Sequence, residues 1–311
     1  MEVKNITIHE ERNVKLTAYL QEVGGEFAGI SRRPAVLILP GGGYAMCSDR
    51  EADPVAFLYL KAGYQAFILR YSVGKDAVWP TPLNDYEEAM SMIRENAQTW
   101  HVLEDKIAVI GFSAGGHLAA CAATMSVNRP NAAILGYPVI EGETARVWQK
   151  TAPDVIEAVD YTTCPCFVFA TRTDNMVPVQ NSVHFINALV ENEVAFESHI
   201  YSNGLHGFST CDSSVQMGLG QFCNRVPHWV GDSIEWLKDV LGDFGPNGME
   251  APRFGGRLNG NHDETLNVDC TMGYLMTKPS AAGILETIMK MGEMEGQSQR
   301  NAEMANGITG R

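Results

Sequence analysis

The stretch Lys106-Ile107-Ala108-Val109-Ile110-Gly111-Phe112-Ser113-Ala114-Gly115-Gly116-His117 decides how this chain folds. Its continuous apolar run predicts a strand that is buried on both faces, and the small residues after it predict a helix. Gly111 and Gly115 stand two residues either side of Ser113, where side chains would collide with neighbouring backbone in a sharp turn. A serine held between strand and helix in this way is typical of an enzyme nucleophile.

Outward from this turn, short apolar runs alternate with amphipathic segments, which predicts the α/β class with a mostly parallel central sheet flanked by helices. The predicted strands are Lys4–Ile8, Val14–Leu20, Ala35–Leu39, Gln65–Leu69, Lys106–Phe112, Ala132–Leu135, Cys166–Ala170 and Ala195–Tyr201. The predicted helices are Asp53–Ala62, Asp85–Ala97, Leu118–Thr124, Val179–Asn192 and His228–Leu241. We expect the first two strands to form an antiparallel hairpin at the edge of the sheet.

The composition changes near Gly245, where Gly, Pro and Asn become frequent. We therefore predict a main domain over residues 1–243, a linker over 244–262 and a small helical C-terminal segment over 263–311. A helix beginning at Pro279-Ser280 would carry an apolar stripe of Ala281, Ile284, Leu285, Ile288 and Met289. This stripe could pack on the main domain or pair with a second copy of the chain, giving a homo-oligomer.

The charge balance limits the partners of the chain. It has 23 Lys and Arg against 37 Asp and Glu, a net charge of −14, whereas nucleic acid and anionic membranes need a basic surface. The start, Met1–Ile6, has no apolar leader, and no run is long enough to cross a bilayer. The 7 cysteines are scattered and suit reduced thiols, so we expect a cytoplasmic protein. No His, Cys or Asp cluster has metal-ligand spacing, so we predict neither a metal nor a cofactor.

A glycine run, Gly41–Gly43, follows the first long core strand. Three successive glycines allow backbone N–H groups to approach a substrate oxygen closely. The backbone N–H of Ala114, at the start of the helix after Ser113, can point at the same developing oxyanion.

The acid and base partners of the serine are predicted from their places after core strands. Asp174 follows the strand Cys166–Ala170 and a short polar turn, whereas Asp154 and Asp160 follow no apolar strand. Asp174 could instead simply cap its turn. His206 lies in a glycine-rich loop after the last strand, as an imidazole that must reach over the serine requires. His117 is nearer in sequence, but its helical position favours a packing role.

Together, Pro40-Gly41-Gly42-Gly43-Tyr44, Ser113 in its turn, and then Asp174 and His206 in that order resemble the HGGG-type esterase and lipase branch of the α/β-hydrolases. Within that branch, the chain resembles bacterial acetyl esterases, including acetyl xylan and feruloyl esterases. The resemblance covers roughly residues 1–243 and implies an α/β-hydrolase fold with an oxyanion hole of Gly42, Gly43 and Ala114. Pro40 replaces the usual histidine of the motif, so a side-chain hydrogen bond that steadies the loop is absent.

The resemblance implies a serine carboxylesterase in which Ser113, His206 and Asp174 form an acyl-enzyme and hydrolyse it. The segment between the strands ending at Leu135 and beginning at Cys166 is short for a cap, which favours short acyl chains on a larger polar alcohol, such as O-acetyl groups on sugars or xylo-oligosaccharides. The alternative is a feruloyl esterase or another serine hydrolase on the same triad, such as a peptidase, thioesterase or lactonase. A catalytically silent binding protein would need a broken triad.

Four residues on loops near the predicted site are candidate substrate contacts: Tyr44, Arg50, Glu51 and Trp79. The alternative for Arg50 and Glu51 is a surface ion pair, and for Trp79 a place in the core.

Overall fold

The computed structural model describes residues 1–27, 29–253, 265–268, 270–292 and 294. The chain divides into two compact units, Met1–Gly256 and Arg257–Arg311. Within the described part of the chain, no helix is both long and apolar enough to span a membrane.

The first unit is built on one eight-stranded sheet with the strand order β1-β2-β4-β3-β5-β6-β7-β8. Its strands are β1 (Glu2–His9), β2 (Val14–Leu20), β3 (Arg33–Leu39), β4 (Gln65–Arg70), β5 (Val102–Phe112), β6 (Ala132–Gly136), β7 (Cys166–Thr171) and β8 (Phe196–Tyr201). The pairs β1–β2 and β2–β4 are antiparallel and every other pair is parallel. The predicted fold class and edge hairpin are therefore confirmed.

Helices cover both faces of this sheet. They are α1 (Asp53–Lys61), α2 (Thr81–Glu95), α3 (Ala114–Thr124), α4 (Gly142–Trp148), α5 (Gln180–Glu191) and α6 (Trp229–Leu241). Three differ from the prediction. The helix α2 begins four residues before the expected Asp85, because Pro82 stands in its first turn, where proline is tolerated. The helix α3 begins at Ala114, four residues before the expected Leu118. The short α4 was not expected.

Alternate residues along the buried strands supply two separate cores. Leu37 and Val109 belong to the core under α2, α3 and α5, whereas Val36 and Ile110 belong to the core under α1 and α6. This alternation is what strands covered on both faces require.

The parallel strands place their carboxyl ends at one edge of the sheet. The loops after β3, β5 and β7 carry the glycine run, Ser113 and Asp174 respectively, and the loop after β8 carries His206. In open α/β sheets, ligands bind at this edge, so the topology alone brings the predicted site residues together.

Residues 244–249, predicted as the start of a linker, form a small hairpin of β9 (Phe244–Gly245) and β10 (Gly248–Met249) within the first unit. Most of the rest of the predicted linker, residues 254–262, lies outside the described residues.

The second unit has a small core of its own. It contains α7 (Met272–Met276), a 3-10 turn at Pro279–Ala281 and a helix over 282–292. Buried side chains meet partly buried ones there: Cys270, Leu275 and Ala281 with Leu266, Tyr274, Ile284, Leu285 and Ile288. The predicted apolar stripe is present except for Met289, which is 63 % exposed.

Candidate active site

Ser113 occupies a strained turn between β5 and α3. Its φ of 53° lies in the left-handed region, with a ψ of −117°, a conformation that a non-glycine residue adopts only when its surroundings enforce it. The neighbours explain the two glycines of the motif. A Cβ atom added at Gly111 would lie 2.2 Å from the carbonyl oxygen of Gly115. A Cβ added at Gly115 would lie 2.1 Å from the carbonyl oxygen of Leu39.

The predicted triad residues form one continuous chain of hydrogen bonds. His206 Nε2 lies 2.8 Å from Ser113 Oγ, and His206 Nδ1 lies 2.7 Å from Asp174 Oδ2. The side chains of His206 and Asp174 are 8 % and 1 % exposed. The other oxygen of Asp174 accepts the backbone N–H groups of Met176 and Val177, each at 2.9 Å. One oxygen of Asp174 therefore caps its own turn while the other contacts the imidazole. The two interpretations of Asp174, a turn cap and the acid partner of the histidine, are compatible.

The glycine loop lies beside Ser113 with two residues in unusual conformations. Gly42 has a φ of 134° and Gly43 a φ of 61°. Both line the same cleft as Ser113. Within the described residues, the backbone N–H groups of Gly42, Gly43 and Ala114 donate no hydrogen bond to another protein group. These amides are available to a ligand oxygen.

Pro40 stands where the HGGG motif has a histidine, and two buried groups form hydrogen bonds to the loop instead. The Tyr71 hydroxyl donates to the carbonyl oxygen of Pro40 at 2.6 Å. Glu51 Oε2 accepts the N–H of Gly41 at 2.7 Å.

Glu51, a predicted sugar contact, is a buried carboxylate at the back of the cleft. It is 2 % exposed, and its second oxygen, Oε1, accepts the hydroxyl of Tyr137 at 2.6 Å. Burial raises the pKa of Glu51, while the hydrogen bonds from Tyr137 and Gly41 and the nearby charges of His206 and Arg50 act in the opposite direction. Each carboxylate oxygen accepts a hydrogen bond from another part of the protein, so Glu51 interacts with the protein and not with solvent.

Two other predicted substrate contacts need correction. Tyr44 is buried, and its hydroxyl lies 2.8 Å from Nδ1 of the buried His117. Trp79 packs its ring edge-on against the same histidine, with ring centroids 5.7 Å apart, and does not line the cleft. Both aromatic rings support the fold behind the site.

The histidine next to the predicted nucleophile has the packing role that its helical position favours. His117 Nε2 contacts the carbonyl oxygen of Pro153 at 3.0 Å. Burial lowers the pKa of His117 to about 4, against smaller opposing effects from Pro153 and Asp154. The ring is therefore neutral at pH 7.

Arg50 remains beside the cleft, as predicted. Its Nη1 donates to Gln216 Oε1 at 2.7 Å. It pairs with a glutamine, not with Glu51, so the alternative of a surface ion pair between the two is wrong.

The cleft over Ser113 has a volume of about 400 Å³, within the range of small-molecule sites. Its lining is Gly42, Gly43, Ala45, Met46, Ser48, Arg50, Glu51, Ser113, Trp148, Met176, His206 and Gly207. A second groove of about 590 Å³ shares Trp148 and Met176 as walls and continues over polar residues of α4 and α5. Sequence reasoning did not assign Trp148, Met176 or Tyr137 to the site. Tyr137 and Met176 each lie shortly after a core strand, and Trp148 lies in the short cap. These positions are the only signal that the sequence offers for them.

Comparisons with known proteins identify the fold family. MGS-M1, an α/β-hydrolase enzyme from a Medee basin deep-sea metagenome library, has a solved structure that is 44 % identical with a TM-score of 0.72 and covers 78 % of this chain and 98 % of its own. The chain belongs to the α/β-hydrolase family. The carboxylesterase Cest-2923 from Lactobacillus plantarum is 27 % identical with a TM-score of 0.73, and the match covers 79 % of this chain and all of Cest-2923, 100 %.

Sequence relatives of the chain include named esterases. The BD-FAE family model matches residues 28–134. An acetylxylan esterase from Xylanibacter ruminicola is 27 % identical over 66 % of this chain and 45 % of its own length. This chain spans less than half the length of the curated relatives that match 60 % or more of it. The names of these relatives support the predicted enzyme class, a carboxylic ester hydrolase.

The described residues contain no group of three or more His, Cys, Asp or Glu side chains that could hold a metal ion. All 7 cysteines are free thiols, in keeping with the expectation from their spacing.

Proposed function

We propose that this chain is a serine carboxylesterase that hydrolyses short-chain acyl esters through an acyl-enzyme intermediate. One observation carries the proposal. The hydroxyl of Ser113 faces a cleft and is hydrogen-bonded to an imidazole, which is itself bonded to a buried carboxylate. This is the arrangement that activates a serine hydroxyl at neutral pH.

In the proposed reaction, Ser113 Oγ attacks the ester carbonyl while its proton passes to His206 Nε2. The tetrahedral intermediate carries its negative charge toward the free amides of Gly42, Gly43 and Ala114. His206 then gives the proton to the leaving alcohol, and the acyl group stays on Ser113. A water molecule attacks this acyl group with the same base and releases the acid. Asp174 keeps the proton of Nδ1 in place and stabilises the imidazolium.

A short acyl group is supported by the shape of the cleft. Its volume of about 400 Å³ must hold parts of both the acyl group and the alcohol. Trp148 closes one wall directly over Gly43, since its ring carbon Cε3 would lie 3.0 Å from a Cβ at that glycine. The ring therefore takes up space beside the oxyanion loop, which we expect to favour short acyl chains.

A sugar as the alcohol is supported by the neighbouring groove. Trp148 and Met176 are 37 % and 49 % exposed where the groove joins the cleft, and an exposed aromatic face suits the apolar face of a sugar ring. Beyond them, polar groups are already oriented. Glu141 Oε1 lies 2.5 Å from His184 Nδ1, and Glu141 Oε2 accepts from Asn181 at 3.1 Å. Oriented polar groups beside an apolar wall can bind a neutral, hydroxyl-rich ligand.

The relatives support the same substrate class. The acetylxylan esterase relative is named for acetylated xylan, and we propose O-acetyl groups on sugars or xylo-oligosaccharides as substrates of this chain. The second candidate is a feruloyl ester, because the exposed Trp148 ring could equally stack on a hydroxycinnamoyl group.

One panel of substrates tests these proposals: p-nitrophenyl acetate, butyrate and octanoate, acetylated xylo-oligosaccharide, and methyl ferulate. Each is assayed with the wild type and with Ser113→Ala. We expect hydrolysis of acetate and of the acetylated oligosaccharide, and no activity above background in the variant. A preference for octanoate would contradict the short-acyl proposal, and activity on methyl ferulate alone would favour the second candidate.

A further inference from the structure

The buried carboxylate of Glu51 joins two loops that the proposed reaction needs in register. Its Oε2 accepts the N–H of Gly41, the first glycine of the oxyanion loop, at 2.7 Å. Its Oε1 accepts the hydroxyl of Tyr137 at 2.6 Å. Both distances are typical of strong hydrogen bonds to a charged acceptor.

Tyr137 continues the connection to the loop that carries the base. Its hydroxyl oxygen accepts the N–H of Ser209, three residues after His206, at 3.0 Å. Its ring lies edge-on to the imidazole of His206, with ring centroids 5.0 Å apart. Ser209 Oγ in turn donates to the carbonyl oxygen of Arg50, next to Glu51, at 2.5 Å. The oxyanion loop, Tyr137 and the histidine loop therefore share one buried network.

A buried carboxylate at this position lowers the stability of the fold unless hydrogen bonds compensate for its lost hydration. Glu51 is 2 % exposed, and removing an ionised group from water has a large free-energy cost that its hydrogen bonds must offset. An apolar side chain of similar size would fill the same volume without that cost. Only a group with two acceptor oxygens, however, can receive the Gly41 N–H and the Tyr137 hydroxyl together.

We propose that Glu51 is a positioning residue of the esterase. Through Tyr137 it holds the oxyanion loop against the histidine loop, so that the glycine amides and the His206 imidazole keep their places around Ser113. The inference rests on the proposed function, because it assigns Glu51 a part in the same reaction.

The link can be broken at either of its two residues. Replacing Glu51 with glutamine removes one of the two acceptor oxygens. Replacing Tyr137 with phenylalanine removes the hydroxyl that joins Glu51 to Ser209 and keeps the carboxylate.

The experiment measures kcat and KM with p-nitrophenyl acetate for the wild type, Glu51→Gln, Glu51→Asp, Tyr137→Phe and Ser113→Ala. For Glu51→Gln we expect kcat to fall about 10- to 100-fold, as misplaced catalytic groups cause. KM should stay within about threefold of the wild type, since the interaction acts on the transition state. Tyr137→Phe breaks the same link and should also lower kcat while leaving KM within that range.

Glu51→Asp is the conservative variant. It keeps two acceptor oxygens on a shorter side chain, so we expect a kcat between those of Glu51→Gln and the wild type. Glu157→Gln, which removes an exposed carboxylate, is the matched control and should equal the wild type. Circular dichroism establishes that each variant is folded. If Glu51→Gln does not fold, the Tyr137→Phe and Glu51→Asp results decide.

Two outcomes overturn different claims. A folded Glu51→Gln variant with wild-type kcat would refute the role of Glu51, even with Ser113→Ala inactive. Full activity of Ser113→Ala would refute the esterase mechanism itself.

Discussion

Gly115 lies so close to Leu39 that a Cβ atom added to the glycine would be 2.1 Å from the leucine carbonyl oxygen. The first turn of α3 therefore rests directly on the end of β3. Because Ser113 immediately precedes α3 and the glycine loop follows β3, this contact sets Ser113 beside the amides that face it. A change in this spacing should affect stability and catalysis together.

Replacing Gly115 with alanine tests this contact. The added methyl group has no space against backbone atoms, and overpacking of this kind costs about 1–3 kcal/mol of unfolding free energy. We expect a loss in this range by urea unfolding and a lower kcat. Gly231→Ala is the control, because the glycine lies in α6 and a Cβ there meets nothing within 4 Å. That variant should be as stable as the wild type or gain up to about 1 kcal/mol. Equal stability of the two variants would contradict the account.

Gly43→Ala should damage the oxyanion loop specifically. Gly43 has a φ of +61°, and an added Cβ would lie 3.0 Å from the ring of Trp148. Either the ring or the backbone must move, and displacement of one oxyanion donor lowers kcat by about 10²-fold or more. Gly74→Ala is matched in backbone, with a φ of +64° and nothing within 4 Å. We expect that variant to lose stability from backbone strain but to keep its kcat with p-nitrophenyl acetate. The prediction fails if both variants hydrolyse it equally well.

Asp174→Asn should leave the fold intact and remove most of the activity. An amide at this position no longer favours the imidazole tautomer with a proton on Nδ1, a change that costs about 10⁴-fold in kcat in serine hydrolases. The control is Asp160→Asn, a competing acid in the sequence whose carboxylate accepts the N–H and the hydroxyl of Thr162 instead. Steady-state assays should find Asp160→Asn fully active. An active Asp174→Asn would show that another residue orients the histidine.

His117 should make the protein lose stability in mild acid. Its pKa in the folded protein is about 4, below the ordinary value of 6.5. As the pH falls through 6.5 the unfolded chain binds a proton that the folded protein does not take up until about pH 4, so the unfolding free energy declines across that window. Between pH 7 and 5 the decline from this residue is about 2 kcal/mol.

Urea unfolding of His117→Gln at pH 7 and pH 5 measures that contribution. We expect a smaller difference between the two pH values than in the wild type, whatever the change in absolute stability. The exposed His228 provides the control, and His228→Gln should keep the wild-type difference. The same pH dependence in wild type and His117→Gln would refute the role of this histidine.

The sequence predicted the central strands of the sheet because they are buried on both faces. Such strands appear as continuous apolar runs, as in β3, where all 7 residues are buried. The triad was predictable for a related reason, since each of its residues follows a strand and the carboxyl ends of parallel strands share one edge. The helix α4 was missed because only Gly142 and Ala145 of its 7 residues are buried, so it has no apolar periodicity.

The surroundings of the site could not be predicted, because they depend on contacts between distant parts of the chain. Tyr44 follows three glycines and looks like a loop residue, yet its hydroxyl bonds to His117, 73 positions away. Glu51 looks like a surface charge, but Tyr137, 86 positions away, supplies one of its two donors. Local sequence carries no record of such partners.

The most direct test of the central claim is to find the residue that becomes acylated or phosphorylated. The protein is incubated with diethyl p-nitrophenyl phosphate, which phosphorylates an activated serine and releases p-nitrophenol, and the site is located by tandem mass spectrometry. We expect a single diethylphosphoryl group on Ser113 and complete loss of esterase activity. The His206→Ala variant should be labelled more slowly than the wild type. A modified residue other than Ser113, or full activity after stoichiometric labelling of Ser113, would contradict the account.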